Sequence, residues 1–376
     1  MKNVISIVFN NFTNDSRVLK EAISLNSTGK YAVEVVALHD GDLKIKENIK
    51  NINVNRIELA SRSLPKSLIM QMLKYIELTY KIIKNYKEVD IVHCNDLGPL
   101  PIAYLLKKFS KKKVQIVYDA HEYETEANGL QGLRKKFAKI TERALIKSVN
   151  TTITVSDSIS DEYKRIYNME KPKLVLNCPN YQEIEKHDKF REKFGIKKNT
   201  KIFLYQGALS TGRGLEVILD AFSDIDDSAA LIVMGYGPLK EKVLEYTKKS
   251  SSIYFHDAIP PNELLKYTSS ADIGICMIED VCLSYKYSLP NKFFEYAMAG
   301  LPIITNNLIE VKNITEKFNC GWILENETSF ELKKLVNQIL IDEIDSYKIN
   351  VKEMSKLYNW ENQERVLLDV YERLNK

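Results

Sequence analysis

No stretch of this 376-residue chain is long and apolar enough to suggest a membrane span. The longest apolar runs, Ile5 to Phe9 and Ala229 to Met234, are strand-length, against the roughly 20 residues that a spanning helix needs. The opening stretch from Met1 to Phe9 is too short for a signal peptide and runs into polar residues. Cysteine is scarce: Cys94, Cys178, Cys276, Cys282 and Cys320 are scattered, odd in number and without metal-ligand spacing. That excludes a disulfide framework and a zinc or iron–sulfur centre, and fits a reducing, cytoplasmic location. The net charge of +4 is mild, and no basic stripe is interleaved with aromatics, so nucleic acid is not an expected partner. Neither domain opens on a G-x-G-x-x-G turn, which argues against NAD. No acidic D-x-D pair sits in a suitable turn, so no metal and no other cofactor is expected.

What is present is a regular alternation of strand and helix patterns. Apolar runs such as Val4–Phe9, Ile52–Ile57, Asp90–His93, Val114–Tyr118 and Thr151–Val155 are each followed by a helical segment, and Val33–Leu38 leads into Ile52–Ile57. Such alternation implies parallel sheets covered on both faces. A turn-rich polar stretch breaks the rhythm after Leu176, and a second alternating series begins near Ile202. The reading is an α/β chain of two doubly wound, Rossmann-like domains facing across a cleft. The expected division is 1–176, a hinge at 177–190, 191–358, and a C-terminal helix at 359–376 packing back on the first domain.

The second half has three strand-to-helix turns, of which the first and third can bind an anion. The first is Gln206-Gly207-Ala208-Leu209-Ser210-Thr211-Gly212-Arg213-Gly214. Its glycines let backbone approach a ligand, and Arg213 can fork onto phosphate oxygens; it lacks the lysine–serine ending of a P-loop. The second is Gly235-Tyr236-Gly237-Pro238, a tight turn. The third is Ser288-Leu289-Pro290-Asn291-Lys292-Phe293-Phe294-Glu295, where Pro290 suits a helix start, Ser288 or Asn291 can cap it, and Lys292 adds a positive charge at the helix N-terminus. Glu295 repels a bare phosphate but accepts hydrogen bonds from hydroxyls. An anion beside a sugar diol describes a nucleotide.

In the first half, Tyr118-Asp119-Ala120-His121-Glu122 ends a strand, and His121 can donate to a sugar hydroxyl or orient an attacking group, with Asn95 or Asp96 as a neighbour. The basic runs Lys107-Lys108, Lys111-Lys112-Lys113 and Arg134-Lys135-Lys136 are either a solvated face or an attraction to an anionic membrane surface.

The combined pattern resembles the GT-B glycosyltransferases, in particular the large retaining family 4. The resemblance rests on Asp15-Ser16-Arg17-Val18 with Glu21-Ala22, Asp119-Ala120-His121-Glu122, Gly207 to Gly214, Gly235-Tyr236-Gly237-Pro238 and Phe293 to Pro302, in that order. It implies a retaining, metal-independent transferase moving a hexose-type sugar from a nucleoside diphosphate, with UDP the expected base, to a saccharide or lipid-linked acceptor in surface polysaccharide or glycoconjugate synthesis. By the same resemblance His121 contacts the transferred sugar, Arg213 and Lys292 hold the diphosphate, Glu295 holds the ribose, and Ile259 lies by the base. Gly207, Gly212, Gly235, Asn291 and Asn95 line the substrate, and Tyr285 to Ser288 the donor-sugar pocket. The chain departs from the family at Ala208, where a basic residue is frequent, and at Tyr287, where the first glutamate of an E-x7-E pair is expected. These departures keep two other readings open, a sugar-nucleotide 2-epimerase of similar fold and a non-catalytic partner subunit. Location is expected to be cytoplasmic, with peripheral contact at the inner face of the membrane.

Overall fold

The structure is a computed structural model and describes Met1–Leu374. The chain forms two compact units, one of Met1–Val175 with the chain from Glu364 on, the other of Leu176–Gln363.

The sheet of the first unit contains β1 (Lys2–Ile7), β2 (Tyr31–Leu38), β3 (Lys46–Ile49), β4 (Ile52–Ile57), β5 (Ile91–Asn95), β6 (Gln115–Ala120), β7 (Thr151–Thr154) and β8 (Lys173–Leu174), in the order β3-β4-β2-β1-β5-β6-β7-β8. All neighbours pair in parallel except β3, which runs antiparallel to β4. Sequence reading missed β3, because an edge strand of sequence Lys-Glu-Asn-Ile shows no apolar run. The central strand β5 is buried along its length, as expected for a strand with both faces covered. The chain leaves β1 towards β2 on one side and returns to β5 on the other, so strand order reverses between β1 and β5.

The sheet of the second unit contains β9 (Lys201–Ala208), β10 (Ala229–Tyr236), β11 (Ile253–Asp257), β12 (Ile273–Cys276), β13 (Ile303–Asn306) and β14 (Gly321–Leu324), in the order β11-β10-β9-β12-β13-β14, all parallel. Alternate residues serve opposite faces. Leu204 and Ile232 join one apolar cluster, while Phe203, Tyr205, Leu231 and Val233 join the other. The helix Ile309–Phe318 between β13 and β14 was not expected, although two neighbouring parallel strands require such a crossover.

The expectation about the linker changes, and the one about the terminus is sharpened. Residues 177–190 form part of the second unit rather than a free hinge. Cys178 is buried, Tyr181 and Ile184 pack against the apolar core, and the amide of Tyr181 donates to Glu361 Oε2 at 2.9 Å. Polar composition hid these few anchoring side chains. The terminal helix Trp360–Arg373 divides between units at Glu364, and Tyr371 anchors its end in the first unit through a 2.7 Å bond to His93 Nδ1. Positions 375 and 376 of the expected C-terminal helix lie outside the described residues. Among the described residues no helix is long and apolar enough to cross a membrane.

Candidate active site

In the second unit the strand order reverses between β9 and β12. Ligands of open α/β sheets bind beyond the carboxyl ends of the strands at such a point, and the residues singled out from the sequence gather there. β9 ends in Gln206-Gly207-Ala208 and leads through the glycine turn into the helix Leu215–Ser223. The turn is packed too tightly for other residues at two places. Gly214 has φ +68°, and a Cβ there would lie 2.7 Å from Cβ of Met277. A Cβ on Gly235 would lie 1.9 Å from the carbonyl oxygen of Gly207, so the two turns touch through backbone alone. Gly212 lies against the ring of Tyr285.

Lys292 stands in the first turn of the helix Asn291–Met298. Its side chain is only 8% exposed, and Nζ has no hydrogen-bond partner among the described residues. Nζ sits 3.9 Å above the ring of Tyr205. The place a Cβ of Gly207 would occupy is 4.0 Å from Lys292 Cε, so the lysine reaches the glycine turn where Ala208 offers no charge. Burial, with Arg213 adding to it, lowers the lysine to about 8. Across the turn the guanidinium of Arg213 lies 4.8 Å over the ring of Tyr285, and its Nε is buried without a partner. Two cations supported by aromatic faces, neither in an ion pair among the described residues, make an anion site.

Glu295 stands one turn further along the same helix. Its Oε2 accepts from Gln206 Nε2 at 2.6 Å, and Gln206 Oε1 accepts from the hydroxyl of Thr268 at 2.8 Å. This chain fixes the orientation of the glutamine amide and hence of the carboxylate. Sequence reasoning missed Gln206 and Thr268. The only signal was a polar residue ending an otherwise apolar strand. It also missed Tyr205, which a strand pattern does not distinguish from a packing residue.

Some expectations fail on geometry. Neither Ser288 nor Asn291 caps the helix at Asn291: the cap position is Pro290 with no side-chain bond. The Ser288 hydroxyl instead donates to the carbonyl of Tyr285 at 2.8 Å, and Asn291 is exposed. Uncapped amides at this helix start favour an anion. The helix at Leu215 differs, because Glu279 Oε1 accepts from the amide of Gly214 at 3.1 Å. A carboxylate therefore occupies that terminus, and the anion site leans on Lys292, Arg213 and the other helix. Ile259 is half-buried against the core just after β11. Tyr287 closes the short helix Leu283–Lys286.

In the first unit, His121 follows β6. Its Nε2 lies 3.1 Å from Asp119 Oδ2 and its Nδ1 3.3 Å from Asp96 Oδ1. Burial opposes the charge, but the carboxylates of Asp119 and Asp96 outweigh it and raise the imidazole to about 9. His121 is therefore an imidazolium at neutral pH. Asp119 is held well below the usual carboxylate range despite burial, chiefly by Arg17. Arg17 bonds Asp119 at 2.9 and 3.1 Å, Val175 O at 2.7 Å and Glu21 at 3.1 Å. Glu21, His93 and Asp119 bring oxygen and nitrogen ligand atoms within 4.8 Å of one another, a metal-ligand set by composition, but the guanidinium of Arg17 already pairs with both carboxylates. Asp96 is the neighbour of His121. Asn95 instead turns into the sheet, donating to Ser6 Oγ at 2.8 Å and Ile7 O at 3.0 Å, and so ties β5 to β1.

The comparisons agree with this architecture. The model for glycosyl transferases group 1 matches residues 186–356, and that for Glycosyltransferase Family 4 matches residues 22–178. An uncharacterized glycosyltransferase of Methanocaldococcus jannaschii is 24% identical, over 88% of this chain and 87% of that one. Among solved structures, sucrose-phosphate synthase from Thermosynechococcus elongatus superposes with a TM-score of 0.81 at 17% identity, covering 100% of this chain and 99% of that one. Anabaena HepE in complex with UDP-glucose gives 0.77 at 12% identity, with 99% and 100% covered. Together the two family models span most of the sequence, each on its own parallel-sheet unit, and the chain belongs to the GT-B glycosyltransferases of family-4 type, enzymes that take their sugar from a sugar nucleotide.

Proposed function

We propose that this chain is a retaining, metal-independent transferase that moves a hexose from a UDP-sugar to a saccharide or lipid-linked acceptor in surface polysaccharide or glycoconjugate synthesis. The observation that carries the reading is the pair of buried, unpartnered cationic atoms, Lys292 Nζ and Arg213 Nε, beside a carboxylate oriented by Gln206. Cations without counter-ions are costly to bury, and a diphosphate supplies the missing charge. A uridine donor is supported by the structural neighbour that was crystallised with UDP-glucose.

When the sugar leaves, negative charge grows on the diphosphate oxygens. Lys292, Arg213 and the amides at the start of helix Asn291–Met298 stabilise that charge without rearranging. The backbone at Gly207 and Gly212 lets the phosphates approach closely, and Gly235 preserves the contact between turns. Glu295 accepts from the ribose hydroxyls, and Ile259 offers apolar surface to the base. His121 binds a sugar hydroxyl by exchanging its half-exposed partner Asp96 for it. Retention follows from front-face attack with no protein nucleophile. An anionic membrane surface is the partner expected for the basic first unit, and it would bring a lipid-linked acceptor within reach.

The test is turnover of a panel of nucleotide sugars by the purified chain, with and without acceptor. Release of UDP that rises with added acceptor supports transfer. Conversion of the donor sugar without acceptor supports the epimerase reading, and no turnover supports the partner-subunit reading. Excess EDTA is expected to leave the rate within about twofold, because the stabilising charges are side chains and helix amides. Glu295→Ala is expected to raise KM for the donor about tenfold or more, since a charged hydrogen bond is lost.

Protonation gives an independent check. Lys292 titrates near 8 when the site is empty, and a bound diphosphate restores its charge. UDP binding is therefore expected to take up a proton above about pH 8 and to weaken as pH rises further. Calorimetry in buffers of different ionisation enthalpy reads this directly. Binding that is independent of pH from 7 to about 9.5 would remove Lys292 from the phosphate contact.

A further inference from the structure

The helix Gly132–Leu145 carries five basic residues, Arg134, Lys135, Lys136, Lys139 and Arg143, against one acid, Glu142. Glu142 is buried: it accepts from Tyr118 and Tyr163 at 2.6 Å each and also from Tyr167. Lys135 and Lys139 are paired with Glu126 at 2.5 Å. Arg134, Lys136 and Arg143 are thus left on the solvent side with no ion pair among the described residues.

The same side is apolar along its centre. Leu133 is 85% exposed, Phe137 71% and Ile140 58%. With Ala144 they repeat at i, i+4, i+7 and i+11, which at 100° per residue confines them to an arc of about 60°. Lys136 and Arg143 flank the arc on one side and Arg134 on the other. An ordinary surface helix turns its apolar stripe inward. This one buries Glu142, presents its apolar stripe to water and rims it with cations that have no ion pair among the described residues.

We propose that this face docks on the anionic headgroups of a lipid bilayer, with Leu133, Phe137 and Ile140 entering the headgroup–acyl boundary and Arg134, Lys136 and Arg143 bonding lipid phosphates. The arrangement is that of a helix lying in the plane of an interface. A second copy of the chain is a poorer occupant, because two such faces would bring like charges together and lysine is depleted from protein interfaces. The proposal gives the expected membrane contact a definite surface and lipid charge, and it does not depend on the sugar-transfer reading. The helix Leu68–Asn85 also exposes Leu68, Ile69, Met72, Leu73 and Ile76, but with fewer cations beside them, and serves as the comparison.

The experiment sediments the full chain with phosphatidylcholine vesicles and with vesicles containing about one third phosphatidylglycerol. Binding is expected to the anionic vesicles alone and to fall sharply near 0.5 M salt, where the Debye length is roughly 4 Å. Leu133→Glu/Phe137→Glu and Lys136→Glu/Arg143→Glu are each expected to lower the partition coefficient at least about tenfold, and Met72→Glu/Ile76→Glu to change it little. All six side chains are solvent-facing, so unfolding midpoints should match the parent, and midpoint and donor hydrolysis verify that each variant is folded. Four outcomes overturn the proposal: no vesicle binding, equal binding to neutral vesicles, binding lost only in the Met72/Ile76 variant, or a solution dimer that Leu133→Glu/Phe137→Glu dissociates.

Discussion

Lys292→Met is expected to lower turnover of the nucleotide sugar by about a hundredfold or more while leaving the protein as stable as the parent. The two halves of this result have one cause. Nζ is buried and makes no hydrogen bond, so its contact with the Tyr205 ring is offset by desolvation, and burial lowers its affinity for a proton to about 8. Methionine has a similar length and no charge, so replacing lysine relieves a desolvation cost at neutral pH. The charge has value only when the diphosphate leaves, and loss of one donor to a developing oxyanion typically costs about 10²–10³ in rate. Steady-state kinetics alongside thermal unfolding reads both halves. A variant that unfolds early, or that turns over within threefold of the parent, contradicts this account of the lysine.

Arg17→Met is expected to act in the opposite sense, on stability first. Arg17 is buried, and its guanidinium bonds Asp119 and the carbonyl of Val175 and pairs with Glu21 at 3.1 Å. Without it the buried charge of Asp119 is left with the imidazolium of His121 beside it, and removing one partner of a buried charged network typically costs about 3–5 kcal/mol. For a unit of this size that lowers the first unit's unfolding midpoint by roughly 10 °C or more. The pH dependence has a definite sign. Asp119 titrates below its unfolded value in the parent, so its contribution is present above the ordinary carboxylate range and is lost as pH falls through its folded pKa. Glu21 is raised to about 7, so it costs stability progressively between its unfolded value and neutrality. Removing Arg17 raises both groups, and the variant should therefore regain stability relative to the parent on acidification. A midpoint within about 2 °C of the parent at pH 7 would show that His121 alone suffices to compensate Asp119.

Much of the second unit's site was legible because its elements have local signatures. Gly207 to Gly214 and Pro290 to Glu295 announce strand-to-helix turns by composition, and each turn lies at the strand-order reversal. Three things were not legible. Long-range partners leave no mark along the chain: the Gln206–Glu295 bond joins residues 89 apart, and the Arg17–Asp119 pair joins residues 102 apart. Direction of a side chain was a second gap, since Asn95 and Asp96 are adjacent yet only Asp96 meets His121. The third was the linker. A few buried anchors, Cys178 foremost, commit the polar residues 177–190 to the second unit, and no periodicity reports them. The basic run at Arg134 was visible in sequence, but whether its helix faces water or core depends on Glu142, which only the fold places inside.

The account rests on two cations awaiting a diphosphate, and a crystal of the chain with bound UDP-sugar tests that most directly. It should show β-phosphate oxygens about 2.7–3.0 Å from Lys292 Nζ and from the guanidinium of Arg213, with Glu295 on the ribose hydroxyls. A nucleotide bound elsewhere, or one whose phosphates leave both side chains as they stand now, would contradict it.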